Sequence, residues 1–315
     1  LFLSLVSGFD FLRTHRFFIH RIGAALALWA VSMGAPATEL NNTLQKIKNT
    51  GVIYLGQPER ALQFPFVYLD EEKRPIGFSS DIAQKIVEAL QLRLGMPRLE
   101  VKMVRMTSQN RFTLINSGAI DLICTSTTNT VERQKQFAFS NSFFVSTTKL
   151  LTRLDSGIRK FSDLAGKRVV VNALTTSEDL LRKFDADNKM GIQIMAVTDL
   201  STSPMTLLET GQADAYMADD ALLYGRIAQA WRPQDWLITG APLSREAYGC
   251  LMRKGDTAFK AVVDDTIASM MKSGEIRALY RRWFESPVPP AGVNLKFPMS
   301  KYMEMLIRNP NDQAL

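Results

Sequence analysis

Histidine is almost missing from this 315-residue chain, and its two copies, His15 and His20, both lie in the first 37 residues. Beyond residue 37 there is no imidazole for a Ser–His–Asp arrangement, for histidine acid–base work or for the common zinc sites. Cysteine is as scarce, with Cys124 and Cys250 alone. The net charge of +7 is not gathered into basic blocks, so the electrostatic footprint of a nucleic-acid binder is missing. No apolar run reaches the ~20 residues of a membrane-crossing helix. What remains is ordinary globular material, 46% hydrophobic and 22% charged, long enough for one large or two medium domains. Neither a metal nor a cofactor is expected.

The first 37 residues differ from the rest. Arg13, Arg16 and Arg21 precede an apolar run from Ile22 to Met33, and Ala35-Pro36-Ala37 follows. A basic flank, a short apolar core and an A-x-A site read as a secretory signal cleaved after Ala37, which predicts export; the alternative is an uncleaved membrane anchor. Removing Arg13, Arg16, Arg21 and Asp10 from 38 basic and 31 acidic residues leaves a net charge of +5. In an exported chain an even cysteine count suggests a disulfide, and two buried thiols are the alternative. A bridge closing so long a loop would contribute ~4–5 kcal/mol in the chain-entropy account.

From residue 51 onward, strand-like and helix-like segments alternate. Gly51–Leu55, Val101–Val104, 119–124, Arg168–Val171, Ile192–Ala196 and 213–217 read as strands. Helices are predicted after a Ser79-Ser80-Asp81 cap, with Ile82, Ile86, Val87 and Leu90 on the apolar face, and at 108–117, from about 130, 177–188, 204–210, 220–230 and 256–284. Segments 142–152 and 246–253 read as extended. The alternation predicts α/β architecture with largely parallel sheets.

A faint repeat adds to this. Leu114-Ile-Asn-Ser-Gly118-Ala-Ile-Asp121 and Leu207-Leu-Glu-Thr-Gly211-Gln-Ala-Asp214 both read as helix, glycine, two residues, aspartate, strand. Glycine suits a helix C-terminus that needs positive φ. Eight residues past each glycine stand Ser126 and Asp219, where a strand gives way to a helix and where ligands collect in open α/β sheets. The repeat predicts two similar lobes: 38–146 with 245–315, and 147–244 between them. Chance resemblance is the other explanation.

Several polar residues invite a binding role. Asn129 and Glu132 resemble a capping box, and helix-start N–H groups favour an anion. Arg133 in the first turn is poorly placed for the helix but well placed to grip a carboxylate; the plainer reading is a surface Glu–Arg pair. Ser108 and Arg111, three apart, would share a helix face and could take a second carboxylate, or be a solvated cap and a surface arginine. Asp219 and Asp220 are either N-caps or, for Asp219, an ammonium partner. Thr175-Thr176-Ser177-Glu178 offers hydroxyls that a cap explains equally well.

The stretches Thr107-Ser-Gln-Asn-Arg111, Cys124-Thr-Ser-Thr-Thr-Asn129, Val131-Glu-Arg-Gln-Lys-Gln136, Thr175-Thr-Ser-Glu178, Asp219-Asp-Ala-Leu-Leu223, Glu246-Ala-Tyr-Gly-Cys250 and Asn309-Pro-Asn-Asp312 carry a resemblance. From about residue 41 to the C-terminus the chain resembles the periplasmic amino-acid-binding proteins of ABC importers, solute-binding protein family 3, and within them the glutamate/aspartate branch. The resemblance implies a two-lobed type II periplasmic-binding-protein fold with the ligand in the interlobe cleft. It implies that Arg133, Ser126 and Thr128, assisted by Thr176, bind the ligand α-carboxylate. Asp219 would bind the α-ammonium, and Ser108 and Arg111 the side-chain carboxylate. It also implies pairing of Cys124 with Cys250. Two departures stand out: Pro58 occupies the place of a family arginine, leaving Arg60 as a candidate substitute, and Leu200 or Ser201 falls where the family has a histidine.

The function so implied is capture of an amino acid, glutamate or aspartate, by hinge closure, and delivery to an ABC permease in the inner membrane by a monomeric periplasmic protein. Relaxed specificity toward glutamine or asparagine is one alternative. A periplasmic dehydratase-like enzyme on the same fold is another, disfavoured because no acid–base group beyond Asp219 suggests itself.

Overall fold

The structure, a computed structural model, describes residues 42–59, 63–290 and 292–314. The leader and Arg60 lie outside the described residues. Its strands up to Arg253 are β1 (Val52–Pro58), the short hairpin β2 (Tyr68–Leu69) and β3 (Pro75–Ile76), β4 (Glu100–Met106), β5 (Phe137–Arg153), β6 (Arg168–Asn172), β7 (Gln193–Val197), β8 (Ala215–Asp219), β9 (Trp236–Thr239) and β10 (Arg245–Arg253). Helices separate most of them, and the architecture is α/β and two-lobed. All described residues belong to one compact unit, Pro36–Leu315.

In the first lobe β1 and β4 pair in parallel. The apolar segment predicted as a strand at 119–124 joins its neighbours through single bridges, Leu55 to Leu122 and Ile123 to Leu251. It carries β10 beside β1 without forming a regular strand. The second sheet runs β10-β5-β8-β6-β7, with β9 also on β5. Parallel pairing holds for β6 with β7 and β8, while β5 is antiparallel to β8, β9 and β10. The sheet is therefore mixed.

The 17-residue β5 organises the molecule. Up to Thr147 it pairs with β10; from Thr148 onward it pairs with β8. One strand thus serves both lobes and changes partners within one residue step. Asp220 marks this junction, accepting from Ser146 Oγ at 2.6 Å and Thr147 N at 3.1 Å.

Alternate faces of each strand explain the packing. Val169 and Val171 on β6 enter a cluster with Leu181, whereas Val170 between them enters another with Met205, Leu208 and Tyr216. Both faces of β6 are covered, so its three valines run without a polar break. In the first lobe Phe66, Phe78, Phe144, Tyr248, Tyr280 and Phe284 form a buried aromatic cluster with centroids 4.7–6.3 Å apart. Each ring contributes roughly 1.5–3 kcal/mol by burial.

The internal repeat is physical. Gly118 and Gly211 have φ of 77° and 67°. Asp121 and Asp214 then make the same connection. Each receives a strand N–H on its carboxylate, Tyr54 N at 3.1 Å and Arg168 N at 2.8 Å, while its own N–H bonds that residue's carbonyl at 2.8 Å.

Some local expectations are corrected. The helix expected after Ser79–Asp81 begins earlier, at Phe78, with Gly77 as N-cap. Asp81 accepts from Trp283 Nε1 at 2.7 Å instead. The helix expected over 256–284 is two, Thr257–Ser273 and Glu275–Phe284, broken at Gly274 with φ of 84°. Positive φ interrupts the helical backbone there.

Candidate ligand-binding site

Between the ends of β1 and β4 on one side and β6 and β8 on the other lies a cavity. Ser108, Arg111, Ser126, Thr128, Arg133, Thr176 and Asp219 all line it. Every described residue named as a ligand contact in the sequence is thus in one place. Arg60 is outside the described residues, and Pro58 lines the cavity where an arginine was expected.

The hydroxyl-rich run after Cys124 divides by period two. Thr125 and Thr127 turn inward and bond each other at 3.0 Å, while Ser126 and Thr128 face the cavity. The disulfide Cys124–Cys250 is formed, beside the Ile123–Leu251 bridge, so the run starts from a fixed point. Its cap differs from expectation. Thr130, not Asn129, caps the short helix Val131–Gln134 by accepting from Arg133 N at 3.2 Å. Asn129 is buried and donates to the Asp312 carbonyl at 2.9 Å, which docks the C-terminal tail under the run.

Arg133 is held by donating to the Thr128 carbonyl at 2.8 Å, with its guanidinium 5.3 Å from the Phe112 ring centroid. Burial lowers its pKa, opposed by Glu246, Asp179 and Asp219. Arg111 lies against the same ring at 4.8 Å and is 5% exposed. Its Nε has no hydrogen-bond partner. Burial, and next the charge of Arg133, pull it down to about 9. A buried guanidinium this poorly compensated is a strong attractor of a carboxylate. Ser108 and Arg111 do not share a helix, because the helix starts at Arg111 and Ser108 sits in the turn before it.

The adjacent aspartates separate cleanly. Asp220 accepts from Ala221 N and from β5. Asp219, at the end of β8, makes no capping bond. Its carboxylate accepts hydrogen bonds from the Tyr248 hydroxyl and, at 3.5 Å, from the Ser177 hydroxyl. Burial, reinforced by Glu246, raises its pKa to about 8. An ammonium group beside it would relieve both effects. Thr176 opens helix Thr176–Asn188 and donates to Glu246 Oε2 at 2.9 Å, while the preceding Thr175 caps that helix.

Three charged residues escaped the sequence reading. Glu246 is 3% exposed on β10; a glutamate directly ahead of the apolar run Ala247–Met252 was a signal. Asp199 and Arg226 line the cavity from the turn after β7 and from helix Asp220–Gln229. Burial lowers the Arg226 pKa, and Tyr216 and Asp199 oppose that shift. Neither carries a spacing signal. Asp199 is the cavity-lining residue of its turn, rather than Leu200 or Ser201.

Comparison with known proteins bears on this geometry. The sequence description of the bacterial extracellular solute-binding proteins, family 3, matches residues 60–286. The chain belongs to this family. Among family 3 relatives, the L-glutamate/L-aspartate-binding protein of Pseudomonas aeruginosa is 48% identical over 291 residues, covering 91% of this chain and 95% of that protein. The glutamate/aspartate import solute-binding protein of Escherichia coli is 46% identical over 281 residues, covering 89% and 91%. Among solved structures, a mutant of ArgBP from T. maritima matches with a TM-score of 0.67 at 31% identity, over 77% of this chain and 99% of that one.

Proposed function

We propose that this family 3 chain captures glutamate or aspartate in the cavity between its lobes and passes it to an ABC permease. The observation that carries the reading is the arrangement of three charges around one cavity. Arg133 lies beside the hydroxyls of Ser126 and Thr128, Asp219 lies opposite, and Arg111 is buried with an unbonded Nε. An α-amino acid with a second carboxylate complements that set. Arg133, Ser126, Thr128 and Thr176 take the α-carboxylate, Asp219 the α-ammonium, and Arg111 and Ser108 the side-chain carboxylate. The names of the Pseudomonas and Escherichia relatives support the same ligand class.

Closure would come from β5. Its change of partner at Thr147–Thr148 supports lobes of 38–146 with 245–315 and 147–244, and rotation there would open and close the cleft. The mature protein would act as a periplasmic monomer after cleavage behind Ala37. We take it to be a carrier and not an enzyme, since Asp219 is better used as an ammonium partner than as an acid or base. Calorimetry of the protein without residues 1–37 against glutamate, aspartate, glutamine and asparagine tests the reading. Heat with the two dicarboxylic ligands is expected, and each should be recovered unchanged. No heat with any of the four would refute it.

A further inference from the structure

The Ser108 donors expected to receive the ligand's distal carboxylate are both engaged by a carboxylate of the protein itself. Asp199 Oδ2 accepts Ser108 N at 2.6 Å and Asp199 Oδ1 accepts Ser108 Oγ at 3.1 Å. The two residues come from different sheets: Ser108 follows β4, and Asp199 follows β7 at the far edge of the second sheet. The bond pair therefore crosses the cavity that both residues line. Arg111, the other residue of that subsite, is buried and keeps its Nε unbonded, and the nearby charge of Asp199 offsets part of the effect of burial and of Arg133 on it.

We propose that Asp199 is a specificity-determining residue that acts as a built-in rival of the ligand's side-chain carboxylate. Its two oxygens hold Ser108 and so tie the lobes together. A dicarboxylic ligand entering the cavity takes Ser108 over and displaces Asp199, paired with Arg111 as it does so. A ligand with a neutral side chain has no carboxylate to exchange and leaves the Asp199–Ser108 pair in place. Asp199 thus narrows the preference for dicarboxylic over neutral amino acids. Two like charges cannot share one pair of donors without cost, and specificity is this difference between ligands rather than either affinity alone.

The inference rests on the amino-acid reading of the site, and its test separates the two. Asp199→Ala and Asp199→Asn are compared with wild type by calorimetry against glutamate and glutamine. Small-angle scattering of the ligand-free proteins is measured alongside. The Asn variant keeps the side-chain volume and guards against misfolding. The ratio of the glutamine Kd to the glutamate Kd is expected to rise about tenfold or more in both variants, on the scale of the weaker close charge couplings. Ligand-free Asp199→Ala should also scatter as a more open particle than wild type. A ratio that falls or stays the same would overturn the rivalry, as would a ligand-free wild type already as open as the Ala variant. If wild type gave no heat with any amino acid, the functional reading would fall. The scattering difference would then still decide whether Asp199 ties the lobes.

Discussion

Arg111 and Arg133 rest their guanidinium groups against one ring, that of Phe112, at 4.8 and 5.3 Å from its centroid. Each contact adds roughly 0.5–2 kcal/mol of cation–π attraction, which offsets part of the repulsion that Arg133 exerts on Arg111. The two arginines nonetheless face different duties. Arg133 is tethered to the loop that carries Ser126 and Thr128, and Arg111 stands on the Ser108 side of the cavity.

Their substitutions should therefore diverge. Arg133→Ala should weaken every α-amino acid ligand by roughly 3–5 kcal/mol, the usual cost of removing one partner of a buried charge pair. Arg111→Ala should weaken glutamate far more than glutamine. Calorimetric Kd values for both ligands check this, and equal losses for Arg111→Ala would show that it does not read the distal carboxylate.

Binding should depend on pH through Asp219. Burial and Glu246 hold its proton until about pH 8 in the ligand-free protein. An ammonium partner requires the ionised form, so binding releases a proton below that pH. Affinity should accordingly rise from about pH 6 to about pH 8, by up to about tenfold per unit, and level off between there and the range near pH 9 where Arg111 begins to lose its charge. The Tyr248 hydrogen bond lowers the Asp219 pKa, so Tyr248→Phe should move the inflection to higher pH. A flat profile in wild type would remove Asp219 from the ammonium role.

The disulfide should stabilise the fold without shaping the cavity. Replacing Cys124 and Cys250 together by serine should cost about 4 kcal/mol in unfolding free energy, the chain-entropy value for a long loop. Urea unfolding followed by tryptophan fluorescence measures it. Once folded, the double variant should keep its glutamate affinity, because neither sulfur lines the cavity.

The repeat makes a matched pair of tests. Gly118 and Gly211 both adopt positive φ, where a side chain is strained. Each changed singly to alanine should cost about 1 kcal/mol, although a Cβ on Gly211 meets nothing within 4 Å. Denaturant midpoints give the values; a neutral Gly211→Ala would mean that conformational strain is not what the glycine avoids.

These glycines also illustrate what was legible in the sequence. Glycine followed by two residues and aspartate is a local device: the turn needs positive φ, and the aspartate bonds a strand N–H nearby. Such a pattern survives in one dimension, as did the alternation of strands and helices. The cap of helix Val131–Gln134 was read one residue early, because Asn129 and Thr130 are both good caps and tertiary contact with Asp312 claimed the first. The segment at 119–124 looked like a strand because it is apolar, but its neighbours meet it at single residues. Asp199 and Arg226 were not legible at all. They reach the cavity only when the turn after β7 and helix Asp220–Gln229 fold over the first lobe, and no spacing in the chain encodes that approach.

The most direct test of the binding account is a crystal structure of the mature protein with glutamate. The account predicts the α-carboxylate on Arg133, Ser126 and Thr128, the ammonium on Asp219, and the side-chain carboxylate on Arg111. A ligand seated elsewhere, or seated with its side-chain carboxylate away from Arg111, would contradict it.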